Sequence, residues 1–461
     1  MLKKVHFVGI GGIGVSAIAK MMFSQSVQVT GSEVIKSEIT DELEDKGIKI
    51  FYDHSAGNLG EHLDTLIYSA AVREDNPERK EARKRGIREI SYFDFLGELS
   101  RDYFTIAVSG TNGKSTTTAM LGLILEAAGL DPTVIVGSKV KTFPNGNLRM
   151  GRSKYLIVEA CEYMAHMLKL SPQMIVLTNI EEDHLDYYRD LGHIKEIFAE
   201  YIQKLPGNGT LIYNFDDPAT NEISLKFQPP RLKLSYGIDA RTDYMIRNVF
   251  VDSERQYFNI VHNNINEEPI GNFSLQIPGL FNIYNAIAAA TAAFNLNIDI
   301  EYIKKALGNF SGIWRRFEIL GEHNGALIIS DYGHHPTAIS ATVKAAREFY
   351  PKRRIVLIFQ PHQRNRTRKL FNDFVKVLKS PDALILSEIY DVAGREANED
   401  RDVSAKTIFE ELKNIGKEVY FAKNLEETED LAKKNMRKGD VYIIMGAGNI
   451  DSVARDLASK L

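Results

Sequence analysis

Cysteine is nearly absent. Cys161 stands alone in 461 residues, which excludes an intramolecular disulfide and argues against a cysteine-based zinc site. No apolar run reaches the roughly 18–20 residues of a membrane span, so no membrane insertion is expected. There is no basic surplus either. With 57 Lys and Arg against 61 Asp and Glu, the net charge is −4, which argues against nucleic acid as the principal partner. The N-terminus MLKKVHFVGIGG lacks a small-residue cleavage site and interrupts its apolar stretch with glycine, so it reads as a first strand. A cytoplasmic location is the expectation, and no internal repeat or low-complexity segment is visible.

What the sequence does contain is α/β texture, three times over. Length alone suggests about three domains. VHFVGI, VQVTG, IKIFY, LDTLIYSA and IREIS alternate with helical spacing through the first hundred residues, as parallel βαβ units do. A second series opens at FTIAVSG and continues with VIVGS, YLIVEA and QMIVLTNI. It then turns to short alternating strands between about residues 209 and 278, closed by two helices near 283–294 and 299–309. A third series runs through ALIISDYG, RIVLIFQP, ALILSEIY, EVYFA and VYIIMGAG. The fold class expected is α/β in three domains, at 1–99, 100–311 and 312–461. The outer two read as Rossmann-like, and the central one as a P-loop-type ATPase with a mixed sheet.

Two glycine loops carry the chemistry. Gly9-Ile10-Gly11-Gly12-Ile13-Gly14 fits G-x-G-x-x-G between a strand and a helix, where glycines admit a tight turn and a close approach of backbone to a diphosphate. Glu33 ends the next strand, where a ribose hydroxyl is read, and Ser69 ends the one after helical segment and third strand. NAD binding is the obvious inference, but no hydride-transfer site accompanies it; a bare βα turn is the plain alternative. The second loop, Gly110-Thr111-Asn112-Gly113-Lys114-Ser115-Thr116, keeps the G-K-S core of a shortened P-loop, with Val108 where the full consensus wants Gly. Its backbone N–H groups suit phosphates, Lys114 the terminal phosphates and Ser115 a Mg²⁺ ion.

That shortened loop in the middle of a three-domain chain resembles the Mur ligases, ATP-dependent amide-forming enzymes of peptidoglycan precursor synthesis. The resemblance spans essentially the whole chain. It implies that the first loop holds a UDP-sugar and the second ATP. In YLIVEACEYMAHML and TNIEEDHLDYY, Ser115, Glu162 and His184 match positions that organise Mg²⁺ about the γ-phosphate; on residue type alone His184 reads more readily as a loop or core histidine than as a ligand. Some sister ligases carry a carbamylated lysine where Ala199 falls, so none is expected here. Cys161 is left to packing. In PGLFNIYNA, Asn282 and Asn285 match adenine-proximal positions, with helix capping by Asn282 as the alternative, and Phe281 stands where the family often has His.

In SGIWRRFEIL, Arg316 matches an arginine that contacts ATP phosphate, against the alternative of a surface salt bridge. SDYGHHPTAI implies that Asp331 helps place the nucleotide and that Tyr332 and His334 lie near the substrates; a role for His334 as acceptor of the amine proton is a hypothesis the motif itself does not carry. The family commonly has Glu at Ala338. FQPHQRNRTR resembles Q-P-H-R-Y-[ST]-R-T-R: Arg366 matches an amino-acid-carboxylate arginine, while Gln363 replaces another and Arg364 is a candidate substitute. The Y-G-H-H-P-T stretch points within the family to UDP-N-acetylmuramate and L-alanine as substrates. Addition of a tripeptide to the same sugar nucleotide is the nearest rival, and FQPHQRNRTR does not match the E-P-R-S form expected for it. A nicotinamide oxidoreductase and a P-loop switch that only hydrolyses ATP are the rivals from other classes. A monomer or weak homodimer is expected, with hinged closure on ligand binding.

Overall fold

The computed structural model describes residues 2–184, 187–226, 232–263, 268–391 and 403–459. Three sheets form, one from each sequence series. In the first, β1 (Lys4–Val8), β2 (Gln28–Ser32), β3 (Lys49–Phe51), β4 (Thr65–Tyr68) and β5 (Arg88–Ser91) lie parallel in the order β3-β2-β1-β4-β5. The order reverses at β1 and β4. The carboxyl ends there open a crevice of the kind that takes nucleotides in doubly wound sheets. The helices between them are α1 (Ile13–Ser24), α2 (Glu38–Asp45), α3 (Pro77–Lys84) and α4 (Tyr92–Ser100).

The second sheet holds β6 (Phe104–Ser109), β7 (Thr133–Ile135), β8 (Leu148–Arg149), β9 (Tyr155–Glu159), β10 (Met174–Leu177), β11 (Thr210–Asn214), β12 (Leu232–Gly237), β13 (Tyr244–Asp252), β14 (Arg255–His262) and β15 (Pro269–Leu275). Their order is β15-β14-β13-β12-β11-β10-β6-β9-β7-β8, mostly parallel, with β8 antiparallel to β7. Helix α5 (Lys114–Ala127) follows β6. The third sheet runs β16 (Glu318–His323), β17 (Ala326–Asp331), β21 (Val441–Met445), β18 (Ile355–Phe359), β19 (Ala383–Ser387), β20 (Val419–Ala422), with β16 the antiparallel edge. Strands β10, β17, β18, β19 and β21 are buried along their whole length, as parallel strands covered on both faces must be.

Two compact units result. One comprises Met1–Asn248, Phe258–Phe273 and Tyr284–Asn309; the other Val249–Tyr257, Ser274–Ile283 and Phe310–Leu461. Within the first unit, α1 is tied to the central sheet. Buried Lys20 donates to Glu42 Oε2 (2.9 Å), Asn145 O (3.1 Å) and Asn147 Oδ1 (3.0 Å), while Asn147 Nδ2 donates to Ser16 Oγ at 2.9 Å and to Ile13 O. Both glycine loops therefore belong to one packed body. No helix among the described residues is long and apolar enough to cross a membrane.

Candidate active site

Local chemistry decides which helix starts are left open. Ser37, Asn76 and Ser91 cap α2, α3 and α4 with their side chains, but α1 and α5 begin at Gly12 and Gly113 with no side-chain cap. Their first N–H groups, and the positive ends of their dipoles, stay available to an anion. The loop before α5 needs its glycines. Gly110 has φ +137° and Gly113 φ +85°; a Cβ would stand 2.1 Å from Thr178 Oγ1 in the first case and 2.2 Å from Asn285 Oδ1 in the second.

Residues after β10 clamp this loop. Asn112 N donates to Asn179 Oδ1 (2.9 Å), Thr178 Oγ1 donates to Asn112 O (2.6 Å), and Thr111 N donates to Asn179 O (2.9 Å). Thr178 and Asn179 were not singled out from the sequence; the dipeptide directly after the apolar run QMIVL was the available signal. Ser115 and Thr116 open α5 and are buried. Asn285 reaches the same loop, accepting from Thr117 Oγ1 at 3.3 Å. Asn282 instead donates to Pro278 O at 2.7 Å, within the second unit.

Lys114 Nζ donates to Gly110 O (2.7 Å), Thr111 O (3.0 Å) and Glu162 Oε1 (2.8 Å). Burial works against the ammonium charge, but Glu162 and then Glu159 overcome it and hold the pKa above its usual value. Lys114 is thus a permanent cation. Glu162 is buried, and its other oxygen, Oε2, has no hydrogen-bond partner. A buried carboxylate oxygen without a partner is costly unless something else uses it. His184 Nε2 stands 3.9 Å from Glu162 Oε1, with its ring against Tyr163 at 4.7 Å.

Ser115, Glu162 and His184 offer the hydroxyl, carboxylate and imidazole expected of them, and the orphan Oε2 fits a hard cation. Among the described residues no group of three or more His, Cys, Asp or Glu could hold a metal alone, so phosphate oxygens and water would complete such an ion's shell. The turn after Glu162 is strained, with Met164 at φ +50° and Ala165 at φ +56°. Tyr188 Oη donates to Glu162 O and secures it. Burial, reinforced by the Glu162 charge, pushes the neighbouring Cys161 thiol up to about 12, which makes it inert at neutral pH.

In the first loop, Gly9 takes φ +75° and a Cβ there would lie 2.9 Å from Ser69 Cβ; Ser69 N in turn donates to Val8 O. Gly11 N donates to Glu33 Oε2 at 3.0 Å, and Glu33 Oε1 accepts from Val34 N at 2.9 Å. Glu33 therefore lies against the glycine backbone. Ile13 begins α1, and Gly14 makes room for buried Tyr92, whose hydroxyl would stand 2.6 Å from a Cβ.

The second unit brings Arg315, Arg316, Asp331, Tyr332 and His334 together. Asp331 is buried and accepts from Phe317 N (2.8 Å) and Gly333 N (2.7 Å); burial pushes its carboxyl up, against the pull of Arg316. Those bonds pin a loop in which Arg315 (φ +57°) turns inward and donates to Gly446 O and Gly448 O at 2.5 and 2.9 Å. Arg316 stays exposed, its guanidinium 4.9 Å from the centre of the Tyr332 ring. The Gly446-Ala447-Gly448 turn is thus held by Arg315, a role that sequence reasoning did not assign.

His334 Nδ1 lies 3.2 Å from Tyr332 O; a carbonyl only accepts, so Nδ1 is the donor in this contact, and in the neutral ring Nε2 is the lone-pair nitrogen. Arg366 Nη1 lies 3.5 Å from His362 Nδ1, and the His362 ring lies 5.7 Å from that of His334. Arg364 is committed elsewhere, to Asp391 Oδ2 at 2.8 Å and to Val403 O. Those two acceptors fix its guanidinium beside Asp391, next to the arginine-free position of Gln363.

Three family models match successive parts of the chain: Mur ligase family, catalytic domain, at residues 4–104; Mur ligase middle domain at 108–293; and Mur ligase, glutamate ligase domain, at 315–448. The UDP-N-acetylmuramate–L-alanine ligase of Acetivibrio thermocellus is 38% identical over 455 residues, 98% of this chain and 94% of that one. Its counterpart from Clostridium tetani is 39% identical over 451 residues, 97% and 96% of the two chains. The crystal structure of UDP-N-acetylmuramate-alanine ligase from Thermotoga maritima superposes with a TM-score of 0.86 at 29% identity, covering 99% of this chain and 98% of that one. A murein peptide ligase from Psychrobacter arcticus shares the fold, with a TM-score of 0.73 at 23% identity over 99% and 98%.

Proposed function

Since the chain belongs to the Mur ligase family, we propose that it joins the carboxylate of UDP-N-acetylmuramate to L-alanine at the expense of ATP, in the cytoplasm. The observation that carries this reading is the buried Lys114–Glu162 pair at the open start of α5, a fixed cation beside an underused carboxylate in a phosphate loop. The proposal assigns residues 1–99 to the sugar nucleotide, 100–311 to ATP, and 312–461 to the amino acid and the closing of the ATP site.

An amine and a carboxylate at neutral pH form a salt, not an amide, because oxide is a poor leaving group. A carboxylate oxygen therefore attacks the γ-phosphorus, the bond to the β–γ bridging oxygen breaks, and ADP leaves. Lys114 and Arg316 spread the charge on the transferring phosphoryl group, with Gly110–Gly113 supplying backbone N–H donors. Mg²⁺ held through Ser115, Glu162 and His184 would neutralise phosphate oxygens and fix their orientation. The free amine of L-alanine then attacks the acyl carbon, His334 Nε2 takes the amine proton, and the C–O bond breaks to release phosphate. Asn282, Asn285 and Asp331 are assigned to the nucleotide. Gly9, Gly11, Gly12, Ile13, Gly14, Glu33 and Ser69 are assigned to the UDP-sugar, and Tyr332 and Arg366 to the substrates.

Phosphate release with UDP-N-acetylmuramate and a panel of acceptors (alanine, serine, glycine and a tripeptide), followed by product mass, tests the proposal. Turnover should require both the sugar nucleotide and a free amino acid. Turnover with the tripeptide alone, or hydrolysis indifferent to any acceptor, would overturn it.

A further inference from the structure

The first sheet encloses a charged group that the chemistry above does not use. Glu78, near the start of α3, is wholly buried. A buried carboxylate is costly unless it is hydrogen-bonded and paired. Here Ser32 Oγ donates to Oε2 at 2.6 Å and Asn58 Nδ2 to Oε1 at 2.7 Å. His54 Nδ1 stands 3.1 Å from Oε2, and buried His6 Nε2 stands 3.4 Å from Oε1. His6 is itself fixed through Nδ1 and Thr30 Oγ1, 2.8 Å apart. Burial pushes the Glu78 carboxyl up, but nearby His6 and the hydrogen bonds from Ser32 and Asn58 prevail and leave it below its ordinary range. Glu78 is an anion inside the domain.

One member of this network reaches the surface. The His54 side chain is 23% exposed, it follows β3, and its Nδ1 also lies 3.1 Å from Ser32 Oγ. Ser32 directly precedes Glu33, whose carboxylate meets the Gly11 N–H. The contacts thus run from Glu78 to the carboxyl edge where β1, β2 and β4 end in the glycine loop, Glu33 and Ser69. A carboxylate only accepts, so Nδ1 of His54 is the donor toward Glu78, and in the neutral ring Nε2 is the acceptor. Strand β3 lies beyond β2 from β1, so His54 follows a strand farther along the carboxyl edge from the glycine loop than the strand that ends at Glu33, on the side where a nucleoside attached to a diphosphate in that loop would extend.

We propose that Glu78 is a positioning residue for the nucleotide-sugar site, acting through His54, whose Nε2 accepts a hydrogen bond from a hydroxyl or imide N–H of the nucleoside. The inference rests on the reading of the first loop as the UDP-sugar site. Calorimetric titration of the full-length protein with UDP-N-acetylmuramate, and separately with ATP, tests it. His54→Ala should weaken sugar-nucleotide binding about tenfold, the scale of one lost hydrogen bond, and leave ATP affinity unchanged. His54→Gln, which retains an acceptor, should recover part of that loss.

Glu78→Gln should weaken binding comparably, and the double variant should bind no worse than either single one, because both act through the same imidazole. Wild-type affinity in His54→Ala would overturn the inference without touching the proposed reaction. So would additive losses, or a Glu78→Gln protein that melts lower yet binds normally. A wild-type chain that binds ATP but not UDP-N-acetylmuramate would overturn both. Should Glu78→Gln not fold, the two His54 variants decide the matter alone.

Discussion

Acidification should loosen the turn that carries Glu162, and His166 is the reason. Its ring stacks on Phe93 with centroids 3.6 Å apart and planes 11° from parallel, four residues after Glu162 and beyond the strained Met164 and Ala165. Burial lowers its pKa from 6.5 to about 4, with Asp94 opposing and Lys169 assisting. The folded value lies below the unfolded one, so the unfolded chain binds more protons between the two. Stability is then complete above about pH 6.5 and is lost as pH falls toward 4.

Between pH 7 and pH 5 the two values imply about 1.8 kcal/mol; because the ring is partly solvated, screening reduces this to about 1 kcal/mol. His166→Phe keeps the stack and removes the proton site. Trp314, the only tryptophan, belongs to the other unit, so its fluorescence reports the wrong region. Hydrogen exchange of a peptide spanning residues 163–170 is the suitable measurement. The wild-type segment should lose about 1 kcal/mol more protection than His166→Phe on going from pH 7 to pH 5, after correction for intrinsic exchange. Equal losses, or a His166 NMR titration centred near 6.5, would refute the reasoning.

Other perturbations separate the two loops and the amino-acid end. Lys114→Met should lower product formation by about a thousandfold or more, because no other group in the loop supplies a fixed charge; intact turnover in a folded variant would sink the phosphoryl-transfer reading. Gly113→Ala forces a Cβ into a left-handed residue 2.2 Å from Asn285 Oδ1, so ATP affinity should fall at least about a hundredfold with UDP-N-acetylmuramate binding retained, as titration of each ligand would show. Arg366→Gln should raise the KM for L-alanine about tenfold or more, while Arg364→Gln, already engaged with Asp391 and Val403, should change it by less than about threefold. Steady-state kinetics in which Arg364 mattered more would reverse that assignment.

What the sequence showed and what it hid divide along a physical line. Parallel strands buried on both faces appear as unbroken apolar runs, and so QMIVL, ALIIS, RIVLIF and VYIIM were legible as strands. Glu318–His323, an antiparallel edge with only its first residue fully buried, lacks that signature and was not read. The glycine loops were legible because their demands are local: a positive φ and a close approach need glycine wherever they occur. Contacts over long sequence separation leave no such mark. Asn285 and Thr117 meet across 168 positions, and nothing near either reveals it. Arg315 and Arg316 are adjacent and chemically identical, and only the backbone decides. A left-handed Arg315 turns its guanidinium onto Gly446 and Gly448, and the next residue is left facing outward over Tyr332.

The two glycine loops share one device and differ in one charge, and that difference supports the separate tasks proposed for them. Each precedes a helix without a side-chain cap, in a unit where the three helices between them are capped by Ser37, Asn76 and Ser91. Open N–H groups bind an oxygen already carrying negative charge, which is enough to hold a diphosphate that does not react. Around the first loop the neighbouring charge is Glu33, an anion whose carboxylate already accepts from Gly11 N. Around the second it is Lys114, a cation kept charged by Glu162 and Glu159 against the cost of burial. A phosphoryl group in flight spreads its charge over its equatorial oxygens, and a backbone donor set alone answers that poorly. Holding a nucleotide needs only the glycines; moving its terminal phosphate needs the lysine, and a chain that must do both requires two loops built differently.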